Sequence, residues 1–148
     1  MKISVGSDER TPLTDEIVAA LTERGHEVSL HGPLRGGDEE WAEVGETLGR
    51  EVASGETEHG VLFCWTGTGA SIAANKVPGV RAALCGDPET ARGARRWNRA
   101  NVLVMSLRAI SAPVGVEILD AYLEDPPEED DFDRRNLARI AALDAEER

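Results

Sequence analysis

Short apolar runs alternate with longer amphipathic stretches along the whole chain. Ile3 and Val5 alternate with polar neighbours in Lys2–Ser7, the period of a strand, and the segment ends in Gly6-Ser7-Asp8. Thr11-Pro12 reads as a helix cap with proline in the first turn, and Leu13, Ile17, Val18 and Leu21 recur at helical spacing until Gly25. Glu27 to Leu30 predicts a second strand, and His31-Gly32-Pro33 with Gly36-Gly37 a loop. A second helix is expected from Asp38 to about Ala53, with Trp41, Val44, Leu48 and Val52 on one side.

Val61-Leu62-Phe63 reads as a buried strand that passes through Cys64-Trp65-Thr66-Gly67-Thr68-Gly69 into a small-residue helix, Ala70 to Asn75. Val80 to Cys85 predicts a fourth strand, Gly86-Asp87-Pro88 the start of a helix through Arg96, and Asn101 to Ser106 a fifth strand. Helices over Ala112–Leu123 and Phe132–Glu147 complete the pattern, the last with Leu137, Ile140 and Leu143 as its apolar stripe. Strands alternating with helices in this way predict an α/β fold: a five-stranded parallel sheet with helices on both faces, in a single domain over residues 1–148. Ligands bind such sheets beyond the carboxyl ends of the strands, where Asp8, Cys64, Asp87 and Arg108 all fall.

Composition narrows the partners. A formal charge of −12 argues against nucleic-acid and anionic-membrane surfaces, which need clustered lysine and arginine, and leaves small molecules or proteins. No apolar run approaches a membrane span, and Met1 to Gly6 is too short for a signal peptide, so a cytoplasmic protein is expected. Cys64 and Cys85 form neither a CxxC nor a Cys/His cluster, which predicts free thiols and no metal site. Glu124 to Asp133, EDPPEEDDFD, reads as an exposed acidic connection.

The turn after the third strand carries the chemistry. Gly67 and Gly69 let a ligand approach the main chain, and the amides of Thr68 to Ser71 point out of a helix N-terminus that favours negative charge. The pattern lacks the third glycine of a dinucleotide fingerprint and the lysine of a P-loop, so an anion site is its minimum meaning. Cys64 stands where a reacting carbon reaches both a thiol and those amides, although an unpaired cysteine is more commonly a core residue.

Gly6-Ser7-Asp8, Cys64 to Lys76 (CWTGTGASIAANK), Arg81-Ala82 and Trp97 to Leu103 (WNRANVL) together resemble the ribose-5-phosphate isomerase B and galactose-6-phosphate isomerase family, over nearly the whole chain. The resemblance implies a flavodoxin-like Rossmann sheet, a homodimer with its sites at the subunit interface, and aldose–ketose isomerisation through an enediolate without metal or organic cofactor. On this resemblance Cys64 matches the thiol base and Thr66 a residue implicated in ring opening. Gly67, Thr68, Gly69, Ala70 and Ser71 match the amide loop over the enediolate. Asp8 matches a sugar-contacting aspartate, Asn98 a polar contact beside it, and Arg108 a phosphate-binding arginine. Ala70 occupies the position of the glutamate base found in a second subgroup.

Several positions depart from the family pattern. Glu9 replaces a histidine after the aspartate and is a surrogate acid or base, and Trp97 replaces the ring-opening histidine. Tryptophan exchanges no proton at neutral pH, so ring opening uses another group or becomes unnecessary. The Gly-Gly-Arg-His tail has become Asp130-Asp131-Phe132-Asp133, and Asn136 stands for a second arginine, with Arg134, Arg135 and Arg139 nearby as substitutes. Trp65 stands where glycine is usual, as a candidate cover that desolvates the thiol. Trp41, Trp65 and Trp97 all align with pocket positions and predict an aromatic, remodelled pocket for a less charged sugar or nucleoside-like ligand. A catalytically silent binding module and an epimerase remain alternatives to the isomerase.

Overall fold

The computed structural model describes residues 1–146. Its five parallel strands are β1 (Lys2–Ser7), β2 (Glu27–His31), β3 (His59–Cys64), β4 (Ala82–Leu84) and β5 (Val102–Ser106). The helices are α1 (Pro12–Glu23), α2 (Trp41–Ser54), α3 (Thr68–Asn75), α4 (Pro88–Asn98), α5 (Ala112–Leu123) and α6 (Asp131–Asp144). The sheet order is β2-β1-β3-β5-β4, so β5 lies inside and β4 forms an edge. The chain reverses direction across the sheet between β1 and β3, and that crevice lies at the carboxyl ends of both strands.

Each face of the sheet buries its own cluster. Ile3, Val5, Val61, Phe63, Leu103 and Met105 pack against α1, α4 and α5. Leu62, Cys64, Val102 and Val104 face α2 and α3 through Val44, Leu48 and Ala74. Burying side chains of this size stabilises by roughly 1.5–3 kcal/mol each before chain entropy is subtracted. Glycines bring the second layer close: a Cβ on Gly45 would stand 2.9 Å from that of Ala73, so α2 and α3 pack nearly backbone to backbone.

Caps explain most boundaries. Thr11, Asp87, Ser111 and Asp130 each accept from an amide in the first turn of the following helix, a contact worth about 1 kcal/mol. Helix α2 begins at Trp41 rather than Asp38, because Gly32–Arg35 forms a 3-10 turn and the Glu39 carboxylate is drawn back to Arg35. Strand β4 shrinks to Ala82–Leu84 because the Arg81 amide donates to the Asn101 side chain at 2.7 Å. Helix α4 outruns Arg96 and stops where Arg99 turns left-handed at φ 47°. Helix α3 begins at Thr68, two residues before the expected Ala70. Helix α6 ends at Asp144, and the expected end at Glu147 lies outside the described residues.

Candidate functional site

Three neighbouring strands end in one row. Ser7 pairs with Phe63 and Cys64 with Ser106, so Asp8 follows β1 directly beside Cys64. Cys64 is 5 % exposed, at the top of the cluster that contains Leu62, Ala70 and Val104. Trp65 does not supply the expected cover: its ring is 59 % exposed, and aliphatic side chains desolvate the thiol instead. Asp8 is half-buried, and burial, reinforced by the Glu9 charge, raises its carboxyl above the usual range. Glu9 is exposed, with its backbone strapped to Ser7: the Ser7 hydroxyl donates to the Glu9 carbonyl at 2.6 Å and accepts from the Glu9 amide at 3.1 Å.

Gly67 takes φ 79°, the left-handed conformation that turns the strand into the helix. A Cβ there would lie 2.5 Å from Leu84 and 3.3 Å from the Met105 carbonyl, so no larger residue fits without moving the loop. The Ser71 amide closes the first helical bond to the Gly67 carbonyl at 3.1 Å. The Thr66 and Thr68 hydroxyls lie 2.8 Å apart, and the Thr68 amide reaches Thr66 Oγ1 at 3.4 Å. Gly69 and Ala70, in the first turn, have no intrahelical acceptor and offer their amides to an anion. Trp41 lies across Gly69, whose added Cβ would stand 2.9 Å from the indole ring.

Sequence reasoning missed the groups that hold this loop. The Ser106 hydroxyl donates to the Trp65 carbonyl at 2.9 Å, and the amides of Leu107 and Arg108 bond to the carbonyls of Cys64 and Trp65 at 3.0 Å. Asn75 grips Ala82 through both backbone groups at 2.9 Å, fixing the far end of α3 to the sheet edge. Nothing in the hydrophobic pattern marks these polar clamps, and the Trp65 carbonyl that Ser106 holds is 41 positions away in sequence.

The other expected site residues lie elsewhere in the protomer. Trp97 and Asn98 end α4, and α4 runs back from the carboxyl end of β4 to the start of β5, about 13 Å along the strand from Ser106. The chain therefore does not bring the three expected pocket tryptophans together: Trp41 and Trp65 stand at the carboxyl end of the sheet, and Trp97 does not. Its ring folds back over Gly93 and, with Asn98, borders a cleft of about 1210 Å³ between β4, α4 and α6. Arg135 is on α6, stacked over Phe132 at 6.0 Å, while Arg108 is exposed beside the Trp65 turn. Asp87 caps α4 through Thr90 rather than facing the crevice. Cys85 is core, its thiol pushed up to about 11 by burial and by Asp87.

Residues 3–143 match the model of the Ribose/Galactose Isomerase family. The chain belongs to that family. It is 39% identical over 123 residues to ribose-5-phosphate isomerase B of Escherichia coli strain K12, covering 82% of this chain and 83% of that one. Family relatives carry different sugars in their names. D-erythrulose-4-phosphate isomerase of Pectobacterium atrosepticum is 33% identical, covering 84% of this chain and 83% of that one. 4-deoxy-4-sulfo-D-erythrose isomerase of a Clostridium species is 35% identical, covering 83% and 79%. The ribose-5-phosphate isomerase B structure from Clostridium thermocellum superposes with a TM-score of 0.89 at 36% identity, over 97% of both chains. The chain is thus a sugar phosphate isomerase family member with the family's sheet.

Proposed function

We propose that the protein interconverts an aldose and a ketose of the sugar phosphate class, the ribose 5-phosphate type included, with Cys64 as the base. The observation that carries this is the meeting of the Cys64 strand end with the unpaired amides of Gly69 and Ala70. The Cys64 thiolate removes the proton from C2, and the C–H electrons form the C1–C2 double bond as the carbonyl electrons move onto O1. The amides stabilise that developing oxyanion. Return of the proton to C1, with transfer of the O2 proton to O1, gives the ketose, so C1 is reduced as C2 is oxidised. Asp8 and Thr66 hold the sugar hydroxyls, and Trp41 and Trp65 flank its carbon faces.

The working unit in this reading is a homodimer. Trp97 and Asn98 end α4 far from Cys64 within one chain, and in this reading a second copy brings its α4–α6 side, with Arg135, over the crevice. The exposed Trp97, Phe132, Ile140 and Leu143 supply the apolar surface for that contact. The terminal anion then meets Arg108 and Arg135, and a sulfonate fits these groups as a phosphate does, since both present oxygens to guanidinium and amides. Free thiols at Cys64 and Cys85 suit a reducing, cytoplasmic setting.

The test is deuterium uptake from solvent into a panel of aldose phosphates by the purified protein and by Cys64→Ala. Exchange at C1 or C2 that falls by about a thousandfold or more in the variant is expected. A wild type that binds the sugars but exchanges no hydrogen would make the protein a binding module.

A further inference from the structure

A cyclic sugar must be opened before C2 can lose its proton. Opening takes the proton from O1 and delivers one to the ring oxygen, work suited to a group that titrates near neutrality. The crevice offers Cys64, engaged at carbon in the reading above, and the Thr66 and Thr68 hydroxyls, paired with each other at 2.8 Å. Asp8 and the exposed Glu9 beside it each accept a proton from O1 as carboxylates, and a carboxylate holds no proton for the ring oxygen.

None of the three histidines fills the gap. His26 accepts from the Met1 amino group at 3.2 Å, at the opposite end of the sheet. His31 is 6 % exposed and bonded through Nε2 to Glu51 at 2.8 Å, inside the α2 face. His59 lies 2.9 Å from the Tyr122 hydroxyl, and burial pushes it down to about 4, so it stays neutral. Each imidazole is engaged within its own protomer, and a second copy has none to lend. The α4–α6 side carries the Trp97 indole, the Asn98 amide, the Arg135 guanidinium and the carboxylates of Asp130, Asp133 and Asp144, and no imidazole among them.

We infer that the substrate is an aldose that cannot close into a ring: a short chain, four carbons in the simplest case, whose C4 oxygen is esterified or missing beneath a terminal anion. This rests on the isomerase reading of Cys64 and adds the substrate class. For such a sugar the aldehyde is always presented open, and the site needs only a base, amides for O1 and cations for the terminal anion. A ribose ring would have to open in solution first.

Two pentoses separate these cases, ribose 5-phosphate and its 4-deoxy analogue. They share length, C2 stereochemistry and phosphate, and only the first can cyclise. With D-erythrose 4-phosphate as the third probe, isomerisation is followed as enzyme concentration rises, with Cys64→Ala as control. The expected result is turnover of both open-chain sugars in proportion to enzyme. Ribose 5-phosphate should be at least about tenfold poorer in kcat/KM, its rate levelling off at that of spontaneous ring opening. Turnover of ribose 5-phosphate that keeps rising with enzyme beyond that ceiling overturns the inference, as does inactivity on both open-chain sugars while ribose 5-phosphate reacts. Absence of Cys64-dependent exchange in all three is a separate result, which removes the isomerase reading and the inference with it.

Discussion

At Gly69 a hydrogen atom does two things at once. It leaves the first-turn amides open to a ligand and lets the Trp41 ring lie across the backbone, where a Cβ would stand 2.9 Å from it. Alanine at this helical position gains about 1 kcal/mol of propensity. Against this, the Trp41 ring must move aside, since a Cβ at 2.9 Å is closer than side chains pack, and a side chain 45 % exposed has room to do so. The two effects nearly cancel in stability. Gly69→Ala should therefore keep its melting temperature within about 4 °C of wild type while losing roughly tenfold or more in kcat/KM, because the methyl and the shifted ring crowd the anion loop. Unchanged kinetics in that variant would move the substrate away from α3.

Between elements, the polar network under the crevice couples α2 to the sheet. The Ser4 hydroxyl donates to Glu51 and accepts from Thr57 at 2.7 Å, Ser29 donates to Glu51 at 3.3 Å, and His31 Nε2 donates at 2.8 Å. Burial by itself would raise the Glu51 carboxyl, but the hydrogen bonds from Ser4 and His31 outweigh it and hold the group below the usual range. A carboxyl lowered on folding stabilises the fold above its unfolded pKa of about 4.3, and that stability is lost as the pH falls through the lower folded value. Thermal unfolding should accordingly show a steeper acid decline for wild type than for Glu51→Gln, the curves converging at low pH. Parallel curves would mean the network contributes no pH dependence. The Asn75 grip on Ala82 explains the end of the family-like segment in the same terms: that asparagine secures α3 to the edge strand and takes no part in proton transfer.

For the molecule as a whole, α6 is the unfinished part. It meets the body through the Asp144 carboxylate at the Gly79 amide, 3.0 Å, and the Glu129–Arg99 pair just before it, 2.7 Å, yet Ile140 and Leu143 remain 43 % and 41 % exposed. A helix whose apolar stripe is this open calls for a second surface, and the position of Trp97 and Asn98 says which. Ile140→Asp should convert a species of twice 15.9 kDa into a monomer in sedimentation, with the helical signal retained and the activity lost. A wild type that sediments at 15.9 kDa would end the dimer proposal, and with it any role for Trp97 beside Cys64.

The periodicity of short apolar runs determined the five strands and their alternation with helices, since a strand buried on both faces leaves the same mark wherever it lies in the sheet. The glycine turn after β3 was legible for a similar reason: positive φ at Gly67 and free amides at Gly69 and Ala70 are local properties of the chain. Strand order was not. Placing β5 between β3 and β4 depends on which faces pack together, and no residue spacing encodes that. The support from Ser106 and the separation of Trp97 from Cys64 were equally hidden, because both follow from contacts between residues more than thirty positions apart. The sequence by itself set the chemistry at the end of β3. Only the tertiary structure decided that Trp97 and Asn98 stand apart from Cys64 within the chain, because the direction of α4 carries them to the far end of the sheet.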